Sequence, residues 1–312
     1  MPPLKVGRGA GVTALALALL VLTGTLVWAL HDSAPPPARQ SGQQSGQESG
    51  QQSGPAPAVL RSRLPLYPLL HTPTATSRRV HEAQQRLIAR CMAERGFRYE
   101  APPVGAKAAA DAGSGPAQFG IETLNPPGSA DRPGVQRAER PRGEAFGRAL
   151  YGDPQRRISA RNKEISVNQP ATGCLADAQK RLLGEGGPRR DLTLRLRLDQ
   201  GERDALRTLG KDSAFRGATA RWRSCMRHAG FSTAKDPQRL AATLRPDTPL
   251  TEQPAARADV TCKHATGYLK RAYDRLALLQ QRWLDANPQP AAAWRSLRQR
   301  ESEAAAKVLK DG

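Results

Sequence analysis

One short motif occurs twice in the chain, and each copy carries a cysteine. Cys91-Met92-Ala93-Glu94-Arg95-Gly96-Phe97 is matched by Cys225-Met226-Arg227-His228-Ala229-Gly230-Phe231, both of the form C-M-x3-G-F. Each copy closes a stretch of helical periodicity. Val80, Ala83, Leu87, Ile88 and Cys91 share one face before the first, and Phe215, Ala218, Trp222, Cys225 and Ala229 share one before the second. Gly96 and Gly230 then stand where a helix ends on a left-handed residue, and Phe97 and Phe231 are placed to fold back over the last turn. Each motif thus predicts a helix end that buries a cysteine.

A second cysteine follows each motif on another helix-like stretch, Cys174-Leu175-Ala176-Asp177-Ala178 and Cys262-Lys263-His264-Ala265. Four cysteines allow three pairings. The tandem pattern favours Cys91 with Cys174 and Cys225 with Cys262, and loop closure would stabilise the fold by about 4–5 and about 4 kcal/mol respectively. A zinc site of Cys225, His228, Cys262 and His264 is the competing use of these residues. On a helix, Cys262 and His264 point roughly 200° apart and should not converge on one ion. The first motif has no histidine at the equivalent positions, so no cofactor or metal is expected.

The compartment follows from the N-terminal end. Gly9 to Leu30 carries no charge and is dominated by Ala, Leu and Val, with Lys5 and Arg8 just ahead of it. A run of about 20 apolar residues can cross a hydrocarbon core, and basic residues on its N-terminal flank hold that flank in the cytoplasm. The expectation is an uncleaved signal anchor in residues 1–31, with the rest of the chain outside the cell. Cleavage near Ala29 to Ala34 is the alternative, since signal peptides use a shorter apolar region. Residues 32–58 contain a repeated Gln/Ser/Gly unit flanked by prolines, which reads as a flexible tether.

The remainder divides into a first cysteine unit, 59–190, and a second, 191–312. The first holds a Pro/Gly-rich excursion from Ala101 to Pro170 with one short helix expected at Glu139 to Tyr151. Asp191 to Leu198 alternates Leu192, Leu194, Leu196 and Leu198 with polar residues, which predicts a strand. Asp199 and Glu202 have capping-box spacing and predict a short helix through Leu209. A long helix is expected over Ala255 to Ala286, broken by Asn287-Pro288 before a last one. The fold class expected is mainly α: a transmembrane helix, a disordered linker, then two related helix-pair units, each stapled by a disulfide.

Three short elements carry a resemblance: W-x2-C-M-x3-G (Trp222, Cys225, Met226, Gly230), the A-L-x-G turn (Ala149, Leu150, Gly152) and the G-C helix opening (Gly173, Cys174, Leu175). In these the chain resembles a family of secreted or membrane-anchored actinobacterial proteins of unknown function, over roughly residues 80–285. The resemblance implies a cell-envelope location and brings no activity or catalytic residue.

The formal charge is +20, and about +19 of it belongs to the part beyond residue 58. Nucleic acid is the usual partner of such a charge, but export and the lack of an aromatic-basic stacking motif argue against it. The polyanions outside a Gram-positive membrane are wall phosphate polymers and anionic lipid headgroups, to which a basic domain is drawn through long-range attraction. Arginine outnumbers lysine 38 to 10, so much of the surplus also fits the codon bias of a GC-rich genome. His31, His71, His81, His228 and His264 form no triad or metal pair, and nucleophile-elbow, phosphate-loop and H-E-x-x-H motifs are missing. The expected function is a non-catalytic envelope binding or accessory module that contacts an anionic wall polymer or a partner membrane protein. The alternative is a wall-acting hydrolase, which a cleft with paired carboxylates would favour.

Overall fold

The stripe ending in Cys91 forms a long helix whose buried side chains include Ala83, Ile88 and Met92. The computed structural model describes residues 55–71, 75–101, 117–125 and 143–311, so the expected anchor and the spacer up to residue 54 lie outside the described residues. No helix among the described residues is long and apolar enough to cross a membrane. In chain order the elements are α1 (Pro57–Ser62), α2 (Tyr67–Leu70), α3 (Ala75–Glu94), α4 (Glu144–Tyr151), β1 (Arg157–Arg161), β2 (Ser166–Pro170), α5 (Cys174–Leu183) and α6 (Gly187–Leu209). They continue with α7 (Ser213–His228), α8 (Pro237–Ala242), a 3-10 turn (Leu250–Glu252), α9 (Pro254–Ala265), α10 (Tyr268–Ala286) and α11 (Pro288–Lys310). The protein is mainly helical, with two disulfides.

Two packed centres meet along the long helices. Ile88, Met92, Ala149, Leu150, Cys174 and Ala178 fill the space between α3, α4 and α5. Ala83, Leu182 and Ala305 extend this packing, so that α11 lies across α3 and α5. The larger centre gathers Trp222, Met226, Cys262, Tyr268 and Tyr273 from α7, α9 and α10 around Phe119. Phe119 meets the Tyr273 ring edge-on at 4.9 Å, a favoured arrangement of aromatic quadrupoles. Leu66, Leu70, Leu198 and Trp294 form a further cluster shared by α2, α6 and α11.

The segment expected as a strand is helical. Leu192, Leu194, Leu196 and Leu198 all lie in α6, which runs from Gly187 to Leu209 without a break. On a helix the alternation becomes two stripes, 192/196 and 194/198, roughly 200° apart. Both are covered, because α6 packs against β1 on one side and against α2 and α11 elsewhere. Leucine and arginine also favour a helix over a strand. Asp199 and Glu202 consequently cap nothing. Asp199 accepts from Arg195 Nε at 3.4 Å, and Glu202 lies 3.1 Å from His71 Nε2.

The helix expected over Ala255 to Ala286 is two helices. Gly267 has φ +60° and turns the chain between α9 and α10. The short helix of the excursion starts at Glu144, behind Gly143. The strands are β1 and β2, an antiparallel hairpin in the register Arg157↔Pro170 to Arg161↔Ser166. Asn162 shapes its turn by accepting from the Glu164 and Ile165 backbone N–H groups, both at 2.9 Å.

Candidate functional site

Cys91 is joined to Cys174 and Cys225 to Cys262, with Cα–Cα distances of 5.6 Å in both. These two pairs use all four cysteines, so Cys225 and Cys262 are not available as zinc ligands. Each C-M-x3-G-F motif ends its helix in the same way. Gly96 and Gly230 have φ of +79° and +88°, and the Phe97 and Phe231 N–H groups reach back to the Met92 and Met226 carbonyls at 2.9 and 2.8 Å. The Gly96 and Gly230 N–H groups bond to Ala93 O and Arg227 O, which completes two Schellman caps. Met92, Met226 and Trp222 are fully buried.

Trp222 leads into a polar network that no sequence pattern announced. Its Nε1–H donates to Asp259 Oδ1 at 2.9 Å, and Lys263 Nζ lies 2.7 Å from Asp259 Oδ2. Lys263 also donates to the Ile121 carbonyl. The adjacent Glu122 pairs with Arg61 and accepts from the Tyr273 hydroxyl at 2.5 Å. Burial pushes the Asp259 carboxyl above its usual range and the Lys263 ammonium below its own, while their mutual attraction opposes both shifts. The network pins residues 117–125 into the larger core by their backbone. It is a brace, with Asp259, Lys263 and Glu122 each almost wholly enclosed.

Several concavities open on the described surface; one of about 550 Å³ lies between residues 121–125 and 241–251, and three others have strongly charged linings. The first is a groove of about 700 Å³ above the Cys91–Cys174 bond, where Arg90 and Arg95 are already paired with Glu94 and Asp177. The second, of about 520 Å³, lies between α2, the start of α3, α6 and α11. Asp191 and Glu301 share it, and Arg298 binds both, reaching Glu301 at 2.8 Å. Burial is the main cause that raises the pKa of each carboxyl. The Arg298 guanidinium also covers the Trp294 ring at 4.3 Å.

The third, of about 480 Å³, opens between the hairpin and α6, and its lining differs in charge. Arg161 and Lys163 come from the end of β1 and the turn, Arg197 from α6, and no carboxylate lines the cavity. Arg197 is held in place, its Nη2 donating to Asn287 Oδ1 at 2.8 Å and its guanidinium 5.7 Å from the Trp283 ring. Arg161 and Lys163 have no carboxylate partner among the described residues. Glu164, the nearest acid in sequence, is occupied by Arg203 and Arg207, and the Arg207 hydrogen bond holds its carboxyl below the usual range. Gln200 completes the lining. It is 1% exposed, its Nε2 donates to Asp204, and its Oε1 has no hydrogen-bond partner among the described residues. A buried acceptor left without a donor costs about 1–3 kcal/mol.

No family model, curated protein or solved structure matches this chain. These comparisons leave untested the resemblance expected from the sequence motifs. Two of these motifs are in contact. The turn at Gly152 and the helix opening at Gly173 pack backbone against backbone beside Cys174. The motif residues thus hold the fold, and the cationic concavity is formed by residues outside them. Among the described residues, no group of three or more His, Cys, Asp or Glu side chains is placed to hold a metal.

Proposed function

We propose that the protein is a non-catalytic module of the cell envelope, tethered outside the membrane, which binds an anionic wall polymer. The observation that carries this reading is the cavity between the hairpin and α6, where three cations converge with no carboxylate among them. An arginine already fixed by a hydrogen bond and an aromatic face loses little further side-chain entropy when an anion arrives. The two disulfides support the role by keeping a small, aromatic-poor fold rigid in an oxidising compartment.

A second reading, a wall-acting hydrolase, is favoured by one observation, the Asp191 and Glu301 carboxyls in the α6–α11 cleft. Their shared guanidinium and the covered Trp294 face support a helix clamp more than a catalytic pair. Retention on purified walls tests the binding role. The chain should be held at low ionic strength and released at moderate salt, as the screening length shrinks. Indifference to walls at low salt would remove it.

A further inference from the structure

We infer that the cavity between the β1–β2 hairpin and α6 is a binding site for a polyol phosphate, with the phosphate on Arg161, Lys163 and Arg197 and a neighbouring hydroxyl on Gln200 Oε1. This names the ligand of the site on which the binding reading rests. Its two halves come from separate observations. The cations come from two different elements and line a concavity with no carboxylate in its lining, while Glu164, the acid beside Gln200, is taken up by Arg203 and Arg207; this is the electrostatic requirement for a phosphate group. The hydroxyl requirement comes from Gln200, whose Oε1 has no hydrogen-bond partner among the described residues while its Nε2 is committed to Asp204. Asp204 is in turn held by Arg207, so the amide cannot turn over without placing its oxygen against a carboxylate. The acceptor therefore needs a donor from outside.

Inorganic phosphate at neutral pH satisfies the cations and has only P–OH donors, attached to the same phosphorus that the cations hold. A phosphate ester of glycerol or a similar polyol carries both groups a few bonds apart. Gln200 Oε1 is covered in the free protein, so its use requires an exposed side chain above it to move aside when the ligand enters. Arg161 and Lys163 are exposed enough to do so while Arg197 stays on Asn287 and Trp283.

The test is calorimetric titration of the full chain in a neutral detergent with glycerol 3-phosphate, inorganic phosphate and glycerol. Glycerol 3-phosphate should bind about fivefold or more tightly than inorganic phosphate, the increment of one added hydrogen bond, and glycerol alone should not bind. Arg197→Gln should weaken both phosphates about tenfold, as expected for loss of a charge-assisted bond. Gln200→Met should remove only the advantage of the ester, with cooperative unfolding and an unchanged affinity for inorganic phosphate showing that the fold is intact. Equal affinity for the two phosphates, or an Arg197→Gln chain that binds like the parent, would overturn the assignment.

Wall polymers and lipid headgroups both carry this chemistry. Competition of bound glycerol 3-phosphate by purified polyol-phosphate polymer, or by vesicles of phosphatidylglycerol against phosphatidylcholine, identifies the source, and competition by neither overturns the proposal. Failure of the site is distinguishable from failure of the wall-binding role. If an Arg161→Gln/Arg197→Gln chain is retained on walls as well as the parent, the site is wrong and the charge-driven role stands. If the parent chain is not retained, the role falls and the titrations still decide the site.

Discussion

Gly152 and Gly173 meet without room for a side chain on either. A Cβ on Gly173 would lie 2.3 Å from the Gly152 nitrogen, and one on Gly152 would lie 2.2 Å from Thr172 Oγ1. Both residues have positive φ, +73° and +87°. The contact sets the exit of α4 directly against the entry of α5, where Cys174 begins its helix and bonds to Cys91.

Gly173→Ala should therefore destabilise the full chain by at least about 3 kcal/mol, because steric collision adds to backbone strain. Gly96→Ala and Gly230→Ala should each cost only about 1–2 kcal/mol, since their Cβ positions are open and only the left-handed conformation is disfavoured. Urea unfolding followed by tryptophan fluorescence ranks the three. An equal cost for all would mean that the Gly152–Gly173 packing does not matter.

Removing each disulfide by paired Cys→Ser substitution should cost about 2–5 kcal/mol. The Cys91–Cys174 link spans 83 residues and Cys225–Cys262 spans 37. The loop-closure difference is about 0.7 kcal/mol in favour of the longer one. The same unfolding measurement, made without reductant, checks the order.

Lys263→Met leaves Asp259 buried without its cation and should destabilise by about 3–5 kcal/mol. Asp259→Leu combined with Lys263→Met should recover much of that loss, because two buried charges disappear together. A double variant as unstable as the single one would show that the Trp222–Asp259 hydrogen bond is the dominant part.

Asp191 and Glu301 set a pH dependence with a definite sign. Burial raises both carboxyl pKa values in the folded chain. The native state then holds protons that the unfolded state has released, so stability falls as pH rises above the ordinary carboxylate range and through the raised values. Asp191→Asn/Glu301→Gln should flatten this slope and be at least as stable as the parent at neutral pH, read as Tm against pH. Assayed on purified wall polymer, parent and variant should show the same absence of bond cleavage. Release of soluble fragments by the parent alone would establish the hydrolase reading.

What the sequence could reveal depended on how local the cause was. The caps at Gly96 and Gly230 were legible because a Schellman turn is dictated within a few residues. The α6 leucines misled because alternation signals burial on two faces and leaves open whether a strand or a doubly covered helix provides it. The hairpin gave little signal, since Ile158, Ala160, Val167 and Pro170 are the only apolar residues of Arg157–Arg161 and Ser166–Pro170 and none of the ten is fully buried. Asp259 and Lys263 sit four residues apart on a helix, a spacing that ordinarily marks a solvated ion pair. Only the arrival of Ile121 and Trp222 from distant elements encloses them. The cationic cavity was invisible for the same reason, because Arg197 reaches it only after α6 has packed on the hairpin.

Because α11 closes over α3 and α5, through Ala305 against Ala83 and Leu182, the earliest helices wait for the latest one. Under the proposed export, Cys91 and Cys174 would emerge from a membrane pore long before Pro288–Lys310 could shield the apolar stripe beside them. Covalent linkage of the first pair would hold that stripe in register during the interval, so the bond acts as a placeholder for packing still to come.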